Sequence, residues 1–212
     1  MFYFLGGFTL EYKKYKKEFT VLISFIILIL VTGILDLINN SGDKILRIAL
    51  IFITIIGFYL LYNKSFLKGY KTIYYIVMGF IFSSMYLASV YNFYSIPYYD
   101  KVLHLFSGFL ISIIGYILFL ELFKKESRNK INNYADVVFV SLFSTAMAGV
   151  WEIWEFSTDL IFGLSAQNGD LTDTMLDIIS GTIVGIITAL LIYRNYNKKK
   201  VKIIDKILNN KD

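Results

Sequence analysis

Residues 19–38 read FTVLISFIILILVTGILDLI, twenty positions in which Asp36 is the single charge. At 1.5 Å per residue such a helix reaches about 30 Å, the thickness of a bilayer's hydrocarbon core. EYKKYKKE precedes the run and NNSGD follows it, so both ends are polar and the middle predicts a membrane-spanning helix. The same test finds five more runs, over about 45–62, 72–91, 99–123, 135–162 and 173–193. Composition agrees: 57% of the 212 residues are hydrophobic, 17% are charged and mean hydropathy is +0.61. The fold class is therefore all-α, a polytopic bundle of six transmembrane helices. A cytoplasmic segment (1–18) would precede the membrane domain (19–193), whose motif-bearing half is 98–185, and a basic tail (194–212) would follow.

Lysine placement orients the bundle. Lys13, Lys14, Lys16 and Lys17 precede the first helix, and Lys64, Lys68 and Lys71 join the second and third. Lys124, Lys125, Arg128 and Lys130 join the fourth and fifth; Lys198, Lys199 and Lys200 follow the sixth. The alternate connections carry little base, so the positive-inside rule puts both termini in the cytoplasm of a multi-pass bacterial cell-membrane protein. The net charge of +5 belongs to these clusters and not to a basic helix face, which argues against nucleic acid as a partner. No cysteine is present, which excludes disulfides and thiolate metal sites. Residues 1–10 are too short and lack the cleavage pattern of a secretory signal, and are expected at the interface. The tail, with Ile203, Ile204, Ile207 and Leu208 on one side, reads as an amphipathic helix on the membrane surface.

Against this apolar background the acids of the last three helices stand out. Glu152, Glu155 and Asp159 share one helical stripe at i, i+3 and i+7; Asp170, Asp173 and Asp177 repeat the spacing. Asp100 and His104, the only histidine, stand at i and i+4 on the fourth helix. The charge-derived orientation sets all three groups at one depth, beneath the outer surface. A charge at a helix centre costs about 2.5–3.5 kcal/mol on insertion scales, so the acids need a cation, protons or water.

His104, Glu152, Glu155 and Asp177 form a candidate metal set of hard oxygen donors and one imidazole, suited to Mg, Mn, Ca or Zn. A carboxylate on one ring nitrogen fixes the tautomer of the other, the role read for Asp100 toward His104. Asp100, His104, Glu155 and Asp173 are the candidate catalytic groups, Asp173 being the spare carboxylate that would take a proton from bound water. A di-iron centre of the ferritin type wants two Glu-x-x-His pairs, and a single histidine argues against it. Trp151, Asp159, Gln167 and Asp170 are candidate substrate contacts, with Gln167 and Asn168 placed to close over a head group.

Blander readings stand beside these. His104 and Asp100 would suit an interhelical hydrogen bond, Trp151 and Trp154 an aromatic belt, and Asp170 and Asp173 helix N-caps. Gly108, Gly181 and Gly185 suit close helix packing, and Asp36 and Glu121 read as interfacial charges. The glutamates inside the fifth helix have no capping explanation.

The motifs YYDKVLHLFSGF (98–109), WEIWEF (151–156) with Asp159, and QNGDLTDTMLDIISGTIVG (167–185) resemble the YjdF-like family of bacterial inner-membrane proteins, and more distantly VanZ-like proteins linked to glycopeptide resistance. The VanZ-like pattern has an E-x-x-Q pair and an arginine ahead of the last acidic helix, where this chain has Glu155 and Leu171 or Thr172. The resemblance implies a cell-envelope membrane protein and a site on these residues, not a reaction. From the residues themselves, the leading expectation is a metal-dependent hydrolase or transferase acting on a lipid or lipid-linked head group. The alternatives are a proton- or cation-coupled transporter and a non-enzymatic accessory protein.

Overall fold

A computed structural model describes residues 16–123, 134–164, 167, 170–196 and 201–209. The expected interfacial N-terminus, most of the basic linker before residue 134, Asn168, and Lys198, Lys199 and Lys200 lie outside the described residues. In chain order the helices are α1 (Lys16–Asn39), α2 (Ile45–Lys64), α3 (Lys71–Ile81), α4 (Tyr99–Leu122), α5 (Ala135–Phe162), α6 (Leu171–Tyr196) and α7 (Lys202–Asn209). A π-helical segment (Phe82–Val90) continues α3, and a 3-10 turn (Phe93–Ser95) leads toward α4. Six helical spans of 20 to 28 residues are long and apolar enough to cross a membrane, and no strand occurs among the described residues.

Local chemistry explains the ends. Ser41 (φ 55) and Gly42 (φ 89) take left-handed conformations that reverse the chain after α1. Asp36 is the buried cap of that turn and not an exposed interfacial charge: it accepts the Lys44 amide at 2.7 Å and the Asn40 side chain at 3.1 Å. Ile96 is extended, as the residue before Pro97 must be, and α4 starts at once. Gly163 (φ 64) ends α5, its amide on the Asp159 carbonyl at 2.9 Å.

The packing falls into two trios. In α1–α3 an aromatic cluster dominates: Tyr62 and Tyr74 are fully buried with ring centroids 4.9 Å apart, and Tyr74 donates to the Glu18 carbonyl at 2.9 Å. In α4–α6 the helices meet backbone to backbone. A Cβ on Gly108 would run into the Gly181 carbonyl, and one on Gly185 into Ser144 Oγ. Ser112 Oγ bridges these helices, 2.8 Å from the Gly108 carbonyl and 3.2 Å from that of Gly185. This is the close approach expected of the three glycines. Outward faces carry Ile27, Ile34, Leu142, Ile153 and Leu160, exposed on the protein and suited to lipid.

In the tail, Ile204 and Ile207 of α7, two of the four residues expected on its apolar side, are buried in the core cluster.

Candidate metal centre

The α4, α5 and α6 trio brings three short sequence groups to one end of the bundle. Asp100, Lys101 and His104 occupy the first turns of α4, Asp173 and Asp177 the first turns of α6, and Trp151, Glu152 and Glu155 the second half of α5. The N-termini of α4 and α6 both present the positive end of a helix dipole here, which favours carboxylates. The gap that lets these side chains converge is set by the Gly108–Gly181 approach one turn below His104, whose own carbonyl lies 3.6 Å from where a Gly181 Cβ would stand.

His104 Nε2 is the hub. It lies 3.5 Å from Glu152 Oε1, 3.6 Å from Asp100 Oδ1 and 4.0 Å from Asp177 Oδ2. His104, Glu152, Glu155 and Asp177 are each no more than 5% exposed. His104 Nε2 and Glu152 Oε1 are fully buried and make no hydrogen bond. Three overlapping triads have ligand atoms mutually within 4.8 Å: Asp100–His104–Glu155, His104–Glu152–Asp177 and Asp100–Asp173–Asp177. Ligands about 2.1 Å from an ion stand about 3–3.5 Å apart at tetrahedral or octahedral angles, so the spacing around Nε2 needs only slight contraction.

Lys101, which belongs to none of the candidate sets read from sequence, fills the third triad. Its Nζ lies 2.5 Å from Asp173 Oδ1 and 2.8 Å from both oxygens of Asp177. Asp173 is therefore an ion-pair partner and not the spare base expected. Asp100 also differs from its expected role: it sits beside the same ring nitrogen as Glu152 and Asp177, as a co-ligand would, and not on the far one. The place of Lys101 between Asp100 and His104, at the start of an acid-bearing span, is the signal the sequence offers for it.

The remaining residues frame the centre. Trp151 Nε1 donates to Glu155 Oε1 at 2.9 Å, and its ring stands edge-on to His104 with centroids 6.1 Å apart. That hydrogen bond holds the Glu155 carboxylate in place. Gln167 ties the α5–α6 connection down: its amide donates to Asp159 Oδ2 at 3.0 Å and its side chain to the Glu152 carbonyl at 3.3 Å. Asp170 is exposed and accepts the Thr172 amide at 2.8 Å, an N-terminal cap. Asp159, Gln167 and Asp170 thus build the loop above the centre. Tyr94, in the 3-10 turn, was not singled out among 17 tyrosines. Burial first, then the charges of Glu155 and Asp100, push its phenol well above its usual range, so it stays neutral.

Charge balance states the chemical problem. Asp100, Glu152, Glu155, Asp173 and Asp177 face Lys101 and one imidazole. Even half the insertion penalty on five carboxylates approaches the ~5–15 kcal/mol by which whole proteins are stable. The donors fit a divalent ion, whose bonds to Nε2 and Glu152 Oε1 would answer the unpartnered atoms and whose two charges would offset about half of the surplus.

Residues 18–198 match the family described as "Predicted membrane protein (DUF2238)". The chain belongs to this family. An uncharacterized protein of Thermotoga maritima is 35% identical to it over 118 residues, covering 53% of this chain and 59% of the relative. The match thus spans about three fifths of that relative's length. No solved structure matches the chain. Membership of the DUF2238 family is consistent with the YjdF-like resemblance and makes this a multi-pass membrane protein; similarity to VanZ-like proteins is not shown.

Proposed function

We propose that the protein is a divalent-metal-dependent hydrolase or transferase acting on a lipid or lipid-linked head group from the extracytoplasmic leaflet, with both termini in the cytoplasm of a bacterial cell. The observation that carries this is the unpartnered His104 Nε2, fully buried among three carboxylates. His104, Glu152 and Asp177, with Asp100 alongside, would hold the ion. An ion held there supplies Lewis acidity and lowers the pKa of bound water. Glu155, oriented by Trp151, is the carboxylate placed to accept a proton, since Asp173 is engaged by Lys101. Lys101 neutralises the second half of the cluster and leaves room for one ion. Transport is less well supported: the acids concentrate at one end, and Glu18, buried toward the other, belongs to the other trio.

Elemental analysis of protein purified in detergent without chelator tests the reading. About one Mg, Mn, Ca or Zn ion per chain is expected, with most of it lost in Glu152→Gln. Wild-type protein with no bound divalent ion, and no head-group release from bacterial lipid vesicles supplied with these metals, would refute it.

A further inference from the structure

A second feature reaches the metal centre from the side. A cavity of about 460 Å³ lies between α2, α3 with its π-helical extension, and α5. That volume is within the ~300–1,000 Å³ of small-molecule sites. Along α5 its lining runs from Thr158 to Met147, twelve residues or about 16 Å of helix, close to half of a ~30 Å hydrocarbon core. The groove is as deep as one leaflet. Its opening is helped by the π-helical turns, which contribute Ser84, Met85 and Ser89 to the wall; such wide turns are frequent at functional sites.

The wall is apolar in effect as well as in composition. Thr54 donates its hydroxyl to the Leu50 carbonyl, Ser84 to Phe80, Thr158 to Glu155 and Tyr94 to Ser84. Hydroxyls spent on backbone in this way present carbon to the groove. Two charged groups remain. Arg47 lines one end, held only by a 3.5 Å bond to the Asp43 carbonyl, with no carboxylate in ion-pair reach among the described residues. Glu155 lines the wall and is also a member of the ligand cluster.

We infer that this groove seats one acyl chain of an anionic glycerophospholipid, with Arg47 holding the phosphate and the head group delivered to the Glu155 side of the metal centre. This deepens the lipid-acting reading and rests on it for the chemistry, though not for the seating. Length decides for an acyl chain, which extends through about one leaflet, as the roughly 16 Å of α5 along the groove would. Charge decides for an anionic head: a guanidinium beside apolar walls, with no carboxylate in ion-pair reach among the described residues, is matched by a phosphate carrying a net negative charge.

The chain offers its own probe. Its two tryptophans, Trp151 and Trp154, both line the groove, so bromine carried on an acyl chain should quench its fluorescence. Purified full-length protein in detergent is titrated with dibrominated phosphatidylglycerol and, separately, dibrominated phosphatidylcholine. Saturable quenching by phosphatidylglycerol is expected, at least tenfold weaker for phosphatidylcholine, weakened about tenfold in Arg47→Gln and blocked in Thr54→Phe. Arg47 is half-exposed, so its variant is expected to fold even if the filled groove does not. Quenching that rises without saturating, that ignores Arg47→Gln, or that polyprenyl phosphate displaces more strongly than phosphatidylglycerol overturns the proposal. The titration is repeated after chelation. Seating that survives chelation without any head-group chemistry refutes only the catalytic reading, and metal binding without saturable quenching refutes only this one.

Discussion

His104 Nε2 and Glu152 Oε1 lie 3.5 Å apart, both fully buried, and neither has a hydrogen-bond partner. Two polar atoms in that position each forgo about 1–3 kcal/mol unless something stands between them. If that is a divalent ion, binding it stabilises the fold by mass action, about 2.7 kcal/mol at a hundred times Kd. Chelation is then expected to lower the Tm of the wild-type protein in detergent by about 5–10 °C. Glu152→Gln should lose that dependence while melting at or above the chelated wild type, because it buries one charge fewer. A Tm indifferent to chelator in both proteins would count against an ion at this place.

Lys101 makes a different claim on the same cluster. Its ammonium holds Asp177, which is 3% exposed in its side chain, and Asp173, which is 26% exposed. Lys101→Met leaves Asp177 without its cation and is expected to cost about 1–3 kcal/mol, less than a fully buried pair because the ammonium is itself 26% exposed. Adding Asp173→Asn should recover part of that loss, a coupling of about 0.5–3 kcal/mol in a double-mutant cycle. Metal affinity should rise in Lys101→Met, since two carboxylates are released. Additive costs with unchanged metal binding would show that lysine and ion do not share the cluster.

The six spans were legible because hydrocarbon imposes one rule, and residues 19–38 satisfy it without tertiary help. Helices α2 and α5 begin at the expected residue, and α6 extends past its expected ends by two and three residues. The convergence of Asp100, His104, Glu152, Glu155 and Asp177 was also legible, since acids at membrane depth must face inward. What spacing could not show was pairing across helices. Which carboxylate Lys101 takes, which ring nitrogen Asp100 faces, and whether Trp151 holds Glu155 depend on helix rotation and on the Gly108–Gly181 distance. The groove was invisible for the same reason: Thr54, Met85 and Met147 are ordinary apolar-run residues until three helices set them opposite one another.

The small-residue contacts are expected to be intolerant in a position-specific way. A methyl at Gly108 meets the Gly181 backbone, and one at Gly185 meets Ser144, neither of which is a flexible side-chain tip. Gly108→Ala and Gly185→Ala should each cost about 1–3 kcal/mol as overpacking and should also loosen the metal centre above them. Gly149→Ala, in α5 with open space around the new methyl, should instead stabilise by up to about 1 kcal/mol through helix propensity. Thermal melts of the three variants decide it, and equal effects at all three positions would show that the α4–α6 approach is looser than described.

The orientation expected from charge can be tested directly, because the chain has no cysteine to remove first. Asp43 lies in the α1–α2 turn at the acidic end of the bundle, and Lys68 in the α2–α3 turn at the other. The positive-inside rule, applied to the lysine clusters, predicts the Asp43 end outside. In intact spheroplasts, Asp43→Cys is expected to react with a membrane-impermeant maleimide, and Lys68→Cys only after lysis. The reverse pattern would place the centre and the Arg47 end of the groove on the cytoplasmic side, and the lipid would then have to enter from the inner leaflet.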